Sequence, residues 1–402
     1  MACFHPLAAI KYDSKYNRIS KDGHEYTPLR IGSARSEFHD FIDEFTGELN
    51  QGFYIPCGTC AGCRMDKSRE WADRCTLEAL MCPPDSCWFV TLTIDDLHME
   101  QYRVFEKADG TILDGDIFTL EDSLLTNFKK KLLAQYDYEY SHKGVRFFAC
   151  GEYGGQSHRP HFHILLFNAP LKDIEFWSYH HVGPYKIPIF RSKFIENKWQ
   201  LGYVWIERFD WNNAAYVARY TQKKSGMLSR DAEKTFIENG LKPEFIRMSR
   251  KPGIGVTFFQ KNIDKFYKPC YREVYDEDLG GCTGVQELTA TDVYMPAYGD
   301  KPAKVLKIPR LFDVKFSKML SDEMTEWNLV LDEGSHRQLA KEKLYDIEEK
   351  ILAFNRYKQG KKESAEIAQK VLLSRTDLDR WEYQDQTEAI TTVAYSKLKR
   401  GL

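Results

Sequence analysis

The chain has 402 residues, 43% of them hydrophobic, and a formal net charge of −2 at pH 7, enough for two or three domains with ordinary cores. That charge excludes a generally polycationic nucleic-acid coat, so any affinity for DNA must be local. No apolar run approaches the ~18–20 residues of a membrane span, and Met1-Ala-Cys-Phe-His-Pro does not open like a signal peptide; a cytoplasmic protein without membrane partners is expected.

Ten cysteines in a cytoplasmic chain should be thiols or metal ligands rather than disulfides. Cys57-x-x-Cys60-x-x-Cys63 offers three thiolates, and a tetrahedral Zn²⁺ site requires a fourth ligand. Cys3 is the first choice, with His5, Cys75, Cys82 and Cys87 as rivals. Iron–sulfur ligation is disfavoured because Lys67 stands where a ferredoxin-like run would place its fourth cysteine. Residues 8–56 are polar and weakly periodic, so a structural metal would suit this region. A helix is expected from about Asp66 to Met81, offering Trp71, Cys75, Leu77 and Leu80 to a core, and Pro83-Pro84 ends it.

Cys87-Trp-Phe-Val-Thr-Leu-Thr-Ile94 is rich in β-formers and reads as a strand with Thr91 and Thr93 on one face. Residues 95–118 read as an acidic, irregular insertion. Thr119-Leu-Glu-Asp122 resembles a capping box leading into a helix over Leu124–Ala134, where Leu125, Phe128, Leu132 and Leu133 form an apolar stripe. Residues 146–168 read as two strands joined by the polar turn Gly154-Gly-Gln-Ser157. Alternation puts His161 and His163 on one face and Phe162 on the other. Antiparallel pairing would bring the Glu152 carboxylate beside them, a His-His-Glu set on a rigid sheet that can hold a divalent ion.

An aromatic segment follows (Phe176, Trp177, Tyr179, Tyr185, Phe190), read mainly as core, its exposed members able to stack on unpaired bases. Gly202–Phe209 reads as a strand, and Asn212 or Asn213 can cap the next helix. On that helix Tyr216, Tyr220 and the pair Lys223/Lys224 share a face. Residues 216–272 hold 13 Lys or Arg against 5 Asp or Glu, the local positive charge that the whole chain lacks. Ser249-Arg-Lys-Pro-Gly-Ile-Gly255 is a basic loop whose amides could approach phosphate, or a simple surface turn. Residues 273–300 read as an acidic linker, and 310–402 as a helical region of balanced charge. No G-x-x-x-x-G-K-[ST] phosphate loop is present, so a fused ATP-driven helicase is not indicated.

A strand of the form hydrophobic-His-hydrophobic-His-hydrophobic, followed by a Tyr-x-x-x-Tyr helix, resembles the HUH endonucleases that start rolling-circle replication. Phe4-His-Pro-Leu7 after Cys3, Pro56-Cys-Gly-Thr-Cys-Ala-Gly-Cys-Arg64, Gly151-Glu-Tyr-Gly154, Tyr216-Val-Ala-Arg-Tyr220 and Ser249–Gly255 are similar to replication initiation proteins of gokushoviruses, single-stranded DNA phages of the Microviridae. The resemblance is dense over about residues 1–270 and thin beyond.

It implies an α+β fold: a central antiparallel sheet flanked by helices, with an N-terminal zinc-binding element and a C-terminal helical region. The corresponding domains are 1–85, 86–270 (the endonuclease) and 271–402. It further implies Mg²⁺ or Mn²⁺ on Glu152, His161 and His163, structural Zn²⁺ on Cys3, Cys57, Cys60 and Cys63, and nucleophiles Tyr216 and Tyr220 assisted by Lys223 or Lys224. The product would be a 5′-phosphotyrosine with a free 3′-OH, religated later to release circles. Partners would be single-stranded viral origin DNA and the host helicase and polymerase, in the cytoplasm of a bacterial host. An HUH-type transposase, a non-catalytic zinc-dependent nucleic-acid-binding protein and a water-using metal hydrolase are the alternatives.

Overall fold

Eight consecutive residues, Pro160–Phe167, are buried in the computed structural model, which only a strand with a core on both faces can satisfy. The structure describes residues 3–19, 25–33, 38–44, 46–141, 144–155, 157–182, 185–219, 234–263, 266–267, 269–276, 281–289, 292–295, 304–334, 336–377 and 379–397. The chain divides into two compact units, one of residues 1–68, 221–235 and 373–402, the other of residues 69–220 and 236–372.

The first unit is built from short strands: β1 (Leu7–Lys11), β2 (Arg18–Ile19), β3 (Glu25–Tyr26), β4 (Leu29–Ile31), β5 (Phe41–Ile42), β6 (Leu49–Asn50) and β7 (Phe53–Ile55). The order β4-β1-β7 makes its largest sheet. Its described core is small, little more than Cys3, Phe4, Cys60, Ala61 and Cys63. Helix α1 (Ala61–Ala79) begins five residues earlier than the expected Asp66, because Ala61 N donates to Glu388 Oε1 (3.3 Å) and satisfies the new helix end.

The second unit centres on seven strands: β8 (Trp88–Thr93), β9 (Arg146–Tyr153), β10 (Pro160–Phe167), β11 (Glu175–Val182), β12 (Tyr185–Arg191), β13 (Val204–Arg208) and β14 (Phe245–Met248). Their order is β11-β12-β13-β8-β10-β9-β14, with antiparallel neighbours throughout. The insertion after β8 opens with a short helix, α2 (Asp96–Met99), capped by the Asp95 side chain. Alternation gives the sheet two inner faces. One carries Val90, Leu92, Phe162, Ile164 and Ile206, packed against Leu125, Phe128 and Leu132 of α3 (Asp122–Tyr140) and Phe194 and Trp199 of α4 (Lys193–Trp199). The other carries Phe89, Phe148, Cys150, Leu165 and Phe167, packed against Ala72 and Cys75 of α1 and Ala214 and Ala218 of α5 (Trp211–Ala218). A third core joins Leu77 to Phe258, Phe259, Tyr267, Phe312, Phe316, Phe354 and Tyr357, so helices Arg310–Asp332 and Arg337–Leu373 have an aromatic core of their own.

Three local expectations are corrected. The α3 N-cap is Glu121, accepting from Ser123 N, whereas Thr119 Oγ1 accepts from Lys242 N. The α5 cap is Asp210, with Asn213 as its reciprocal partner in a capping box, rather than Asn212 or Asn213. The supposed linker contains the antiparallel pair Pro269–Asp276 and Gly281–Thr289, because Tyr271, Val274 and Tyr275 supply β-propensity that outweighs the acidic composition. Among the described residues no helix is long and apolar enough to cross a membrane.

Gly151 explains part of its own motif. A Cβ there would lie 2.7 Å from the Phe245 ring and 3.3 Å from Leu120, both core residues unable to retreat. Gly151→Ala should therefore destabilise the second unit by about 1–3 kcal/mol through overpacking, read as a lower urea midpoint at unchanged slope.

Candidate active site and metal-ligand sets

The β9–β10 register pairs His161 with Glu152 and His163 with Cys150, so the three site residues lie on one sheet face. Both imidazole Nε2 atoms approach the same oxygen, Glu152 Oε1, at 2.8 Å. All three side chains are buried. His163 Nδ1 lies 3.0 Å from Thr91 Oγ1, and its ring stacks on Phe89 at 5.2 Å. His161 Nδ1 lies 3.2 Å from the carbonyl of Arg159. A carbonyl only accepts, so that contact calls for a proton on Nδ1 and turns the Nε2 lone pair of neutral His161 toward the carboxylate. Two acceptors facing one another need a cation between them or a second proton. Glu152 Oε2 is buried and has no hydrogen-bond partner among the described residues. This donor chemistry fits a metal ion, with Thr91 and the Arg159 carbonyl orienting the imidazoles from behind.

Burial opposes ionisation of Glu152, but hydrogen bonds from His161 and His163 outweigh it and hold the carboxyl well below the usual range. Burial acts the other way on His163, lowering its pKa against the opposing pull of Glu152, so the neutral, ligating form is favoured.

Helix α5 brings Tyr216 to the set. Its hydroxyl donates to Glu152 Oε1 at 2.6 Å, and its ring meets His163 edge-on at 5.1 Å. The Arg219 guanidinium lies 5.8 Å from the centre of the Tyr216 ring. Tyr220, Lys223 and Lys224 lie outside the described residues. Arg219, Phe89 and the cap Asp210 were missed by the motif reading. Phe89 could have been found by its spacing of two from Thr91, whereas Arg219 carries no signal beyond its place inside Tyr-x-x-x-Tyr.

The Ser249–Gly255 loop does not offer its last amide to phosphate. Gly255 N donates to the buried carboxylate of Glu78 (2.7 Å), which also takes Arg146 Nε (2.5 Å). Arg74 Nε donates to the carbonyl of Ile254 and Arg146 Nη2 to that of Pro252. Arg250 and Lys251 remain exposed.

In the first unit, the sulfurs of Cys3, Cys57, Cys60 and Cys63 all lie within 4.8 Å of one another. The Cys57–Cys63 and Cys60–Cys3 separations are 4.0 and 3.9 Å, far from a disulfide and close to the ~3.8 Å edge of a tetrahedron with 2.3 Å metal–sulfur bonds. Backbone amides aim at these sulfurs: Cys57 N at Cys3 (3.2 Å), Cys60 N at Cys57 (3.3 Å), and Phe4 N and Cys63 N at Cys60 (3.3 and 3.4 Å). The neighbouring Cys3 and Cys63 thiols and these amides hold Cys60 well below the ordinary thiol range. Of the rivals for fourth ligand, His5 faces Glu388, while Cys75 and Cys87 are buried in the core of the second unit, with Cys82 packed against it. The four-cysteine set can hold a metal ion.

The family model for the replication-associated protein ORF2 matches residues 87–225, the span that contains Thr91, Glu152, His161, His163 and Tyr216. The replication-associated protein ORF2 of Spiroplasma virus 4 is 33% identical over 269 residues, covering 67% of this chain and 69% of that protein. The chain belongs to this family of phage replication-associated proteins. Two further members are similar to it: ORF4 of Chlamydia phage 1, 27% identical over 240 residues (56% of this chain, 55% of that one), and VP4 of Bdellovibrio phage phiMH2K, 31% identical over 174 residues (43% and 49%). No solved structure matches the chain.

One further carboxyl shares the face of the family's matched region. Glu207 pairs with Phe89 across β13 and β8, and burial, then Asp210, pushes its pKa up from 4.5 to about 7. A carboxyl whose pKa rises on folding penalises the folded state increasingly as pH climbs from the unfolded value through the folded one. Glu207→Gln should thus stabilise more at pH 8 than at pH 5, by on the order of 1–2 kcal/mol after allowance for partial exposure. Urea midpoints at the two pH values check this; an equal effect at both would contradict it.

Proposed function

We propose that this replication-associated protein starts phage genome replication by cutting single-stranded origin DNA through a tyrosine of α5, in an HUH-type arrangement. The observation that carries the reading is the Tyr216 phenol donating to the carboxylate oxygen that both imidazoles share. A hydroxyl nucleophile and a metal-ligand set are then within reach of one phosphate. Glu152, His161 and His163 would hold Mg²⁺ or Mn²⁺, which supplies Lewis-acid polarisation of a phosphate oxygen when bound.

The remaining work belongs to the chain. Glu152 Oε1 orients the phenol through its hydrogen bond, and Thr91 fixes the His163 ring. Because a free phenol has a pKa of about 10, the Arg219 cation beside the ring favours the phenolate, with Lys223 or Lys224 as a further partner. Tyr216 Oη attacks phosphorus; the bond to tyrosine forms, the bond to the 3′-oxygen breaks, and that oxygen takes a proton. The products are a 5′-phosphotyrosine and a 3′-OH from which the host helicase and polymerase can work. Tyr220, four residues on, shares the helix face and would take the second transfer that releases a circle.

In this reading residues 86–270 form the endonuclease and residues 271–402 a linker and helical extension. Residues 1–85 form an element held by zinc on Cys3, Cys57, Cys60 and Cys63.

With labelled single-stranded origin DNA and Mn²⁺, the protein should form a protein–DNA band that survives denaturation. His163→Ala or Glu152→Ala should lower its yield at least about 100-fold, and the Tyr216→Phe/Tyr220→Phe double variant should give none. Cleavage without any covalent adduct would make water the nucleophile and end the proposal. Elemental analysis of protein purified without added metal should find about one zinc per chain, reduced in Cys60→Ser; iron in its place, or no metal, would reject the zinc assignment.

A further inference from the structure

The sheet face that holds Glu152, His161 and His163 continues past β8 onto β13. Cross-strand register runs His163 to Thr91 and Thr91 to Trp205, while Thr93, opposite His161, donates its amide to the carbonyl of Tyr203 at 3.0 Å. Alternation puts Tyr203, Trp205 and Glu207 on the ligand face and Val204 and Ile206 in the core. Two strand spacings, about 10 Å, separate Trp205 from His163 along this row. The burial contrast is sharp: Val204 and Ile206 are 3% and 0% exposed, Trp205 42% and Tyr203 69%. The next strand adds a cation. Phe190 pairs with Ile206 on the core face, so one residue along, Arg191 comes opposite Trp205, and its guanidinium lies 4.5 Å from the Trp177 ring centre. Trp177 is also exposed, and Arg191 keeps Glu196 as an ion-pair partner at 2.6 Å.

Large aromatic side chains are normally buried, and a contiguous exposed set on rigid strands marks a binding surface. Here the faces are aromatic, the rim carries Arg191, and the surface is continuous with the ligand set. Nucleobases stack on such faces whatever their identity, and guanidinium meets their phosphates. Bases inside a duplex are not available to stack in this way.

We propose that Tyr203 and Trp205, with Trp177 and Arg191 beyond them, form a stacking platform. It would hold the unpaired nucleotides flanking the phosphate at the Glu152–His161–His163 set. The proposal rests on the functional reading above and adds to it the residues that select unpaired DNA.

The test uses the full chain without added metal and a fluorescein-labelled oligothymidylate, followed by anisotropy, with a duplex of equal length as competitor. Tyr203→Ala/Trp205→Ala should weaken single-strand binding at least about 10-fold and leave duplex binding near wild type. Trp205→Leu should lose most of the affinity that Trp205→Phe retains, because leucine keeps apolar area and loses the π-face. All variants are first checked for a wild-type urea midpoint. Equal binding by the leucine and phenylalanine variants, or an equal loss on duplex and single strand, would overturn the platform. Covalent adduct assays on the same proteins separate the two ideas. A wild-type chain that forms adduct while these variants bind normally rejects the platform alone. A wild-type chain that neither binds single strands nor forms adduct removes the functional reading beneath it.

Discussion

A single carboxylate oxygen governs the catalytic face. Glu152 Oε1 lies within hydrogen-bond reach of two imidazoles and one phenol, and a carboxylate this deeply buried is tolerated only when such partners compensate its lost hydration. Each partner arrives on a separate element, so the oxygen couples β9, β10 and α5. Those elements are held in turn by unexceptional means. The β9–β10 ladder runs from Arg146 to Tyr153 without interruption, and the Asp210–Asn213 box fixes where α5 starts. From that start, Tyr216 falls on the helix face toward the sheet.

The two ligand sets stabilise by different routes. The second unit has three apolar clusters, and its polar site is an island within a well-packed sheet. The first unit has short strands and a described core of a few small residues around sulfur. Without enough apolar area to bury, a domain of that kind gains most from a cross-link among its ligands.

What could be read from the sequence follows what is periodic or punctuated. The His161/His163 alternation needs only the pleat of a strand, and Glu152 follows from one tight turn. The Cys57–Cys60–Cys63 spacing is local, whereas Cys3 had to be chosen among rivals because nothing local ties it to the others. The α5 cap was misplaced because Asp210, Asn212 and Asn213 all suit an N-terminus, and only backbone geometry distinguishes them. The pair of strands after Pro269 was hidden by acidic and glycine-rich composition. Arg219, the Glu78 contacts to the Gly255 loop and the exposure of Trp205 depend on tertiary neighbours far away in sequence, which no window of residues contains.

Strand β10 is buried on both faces along its whole length, so hydrophobicity alone does not tell its two sides apart. A slip of one residue would exchange every side chain between faces and satisfy apolar burial almost as well. What it could not satisfy is polarity: two imidazoles would enter the α3–α4 core without partners, and Glu152 would face Phe162 and Ile164. The polar atoms that prepare the chemistry thus also encode the phase of the strand. Weakening them would blur the fold's identity together with its activity, and for this strand the two properties are inherited as one.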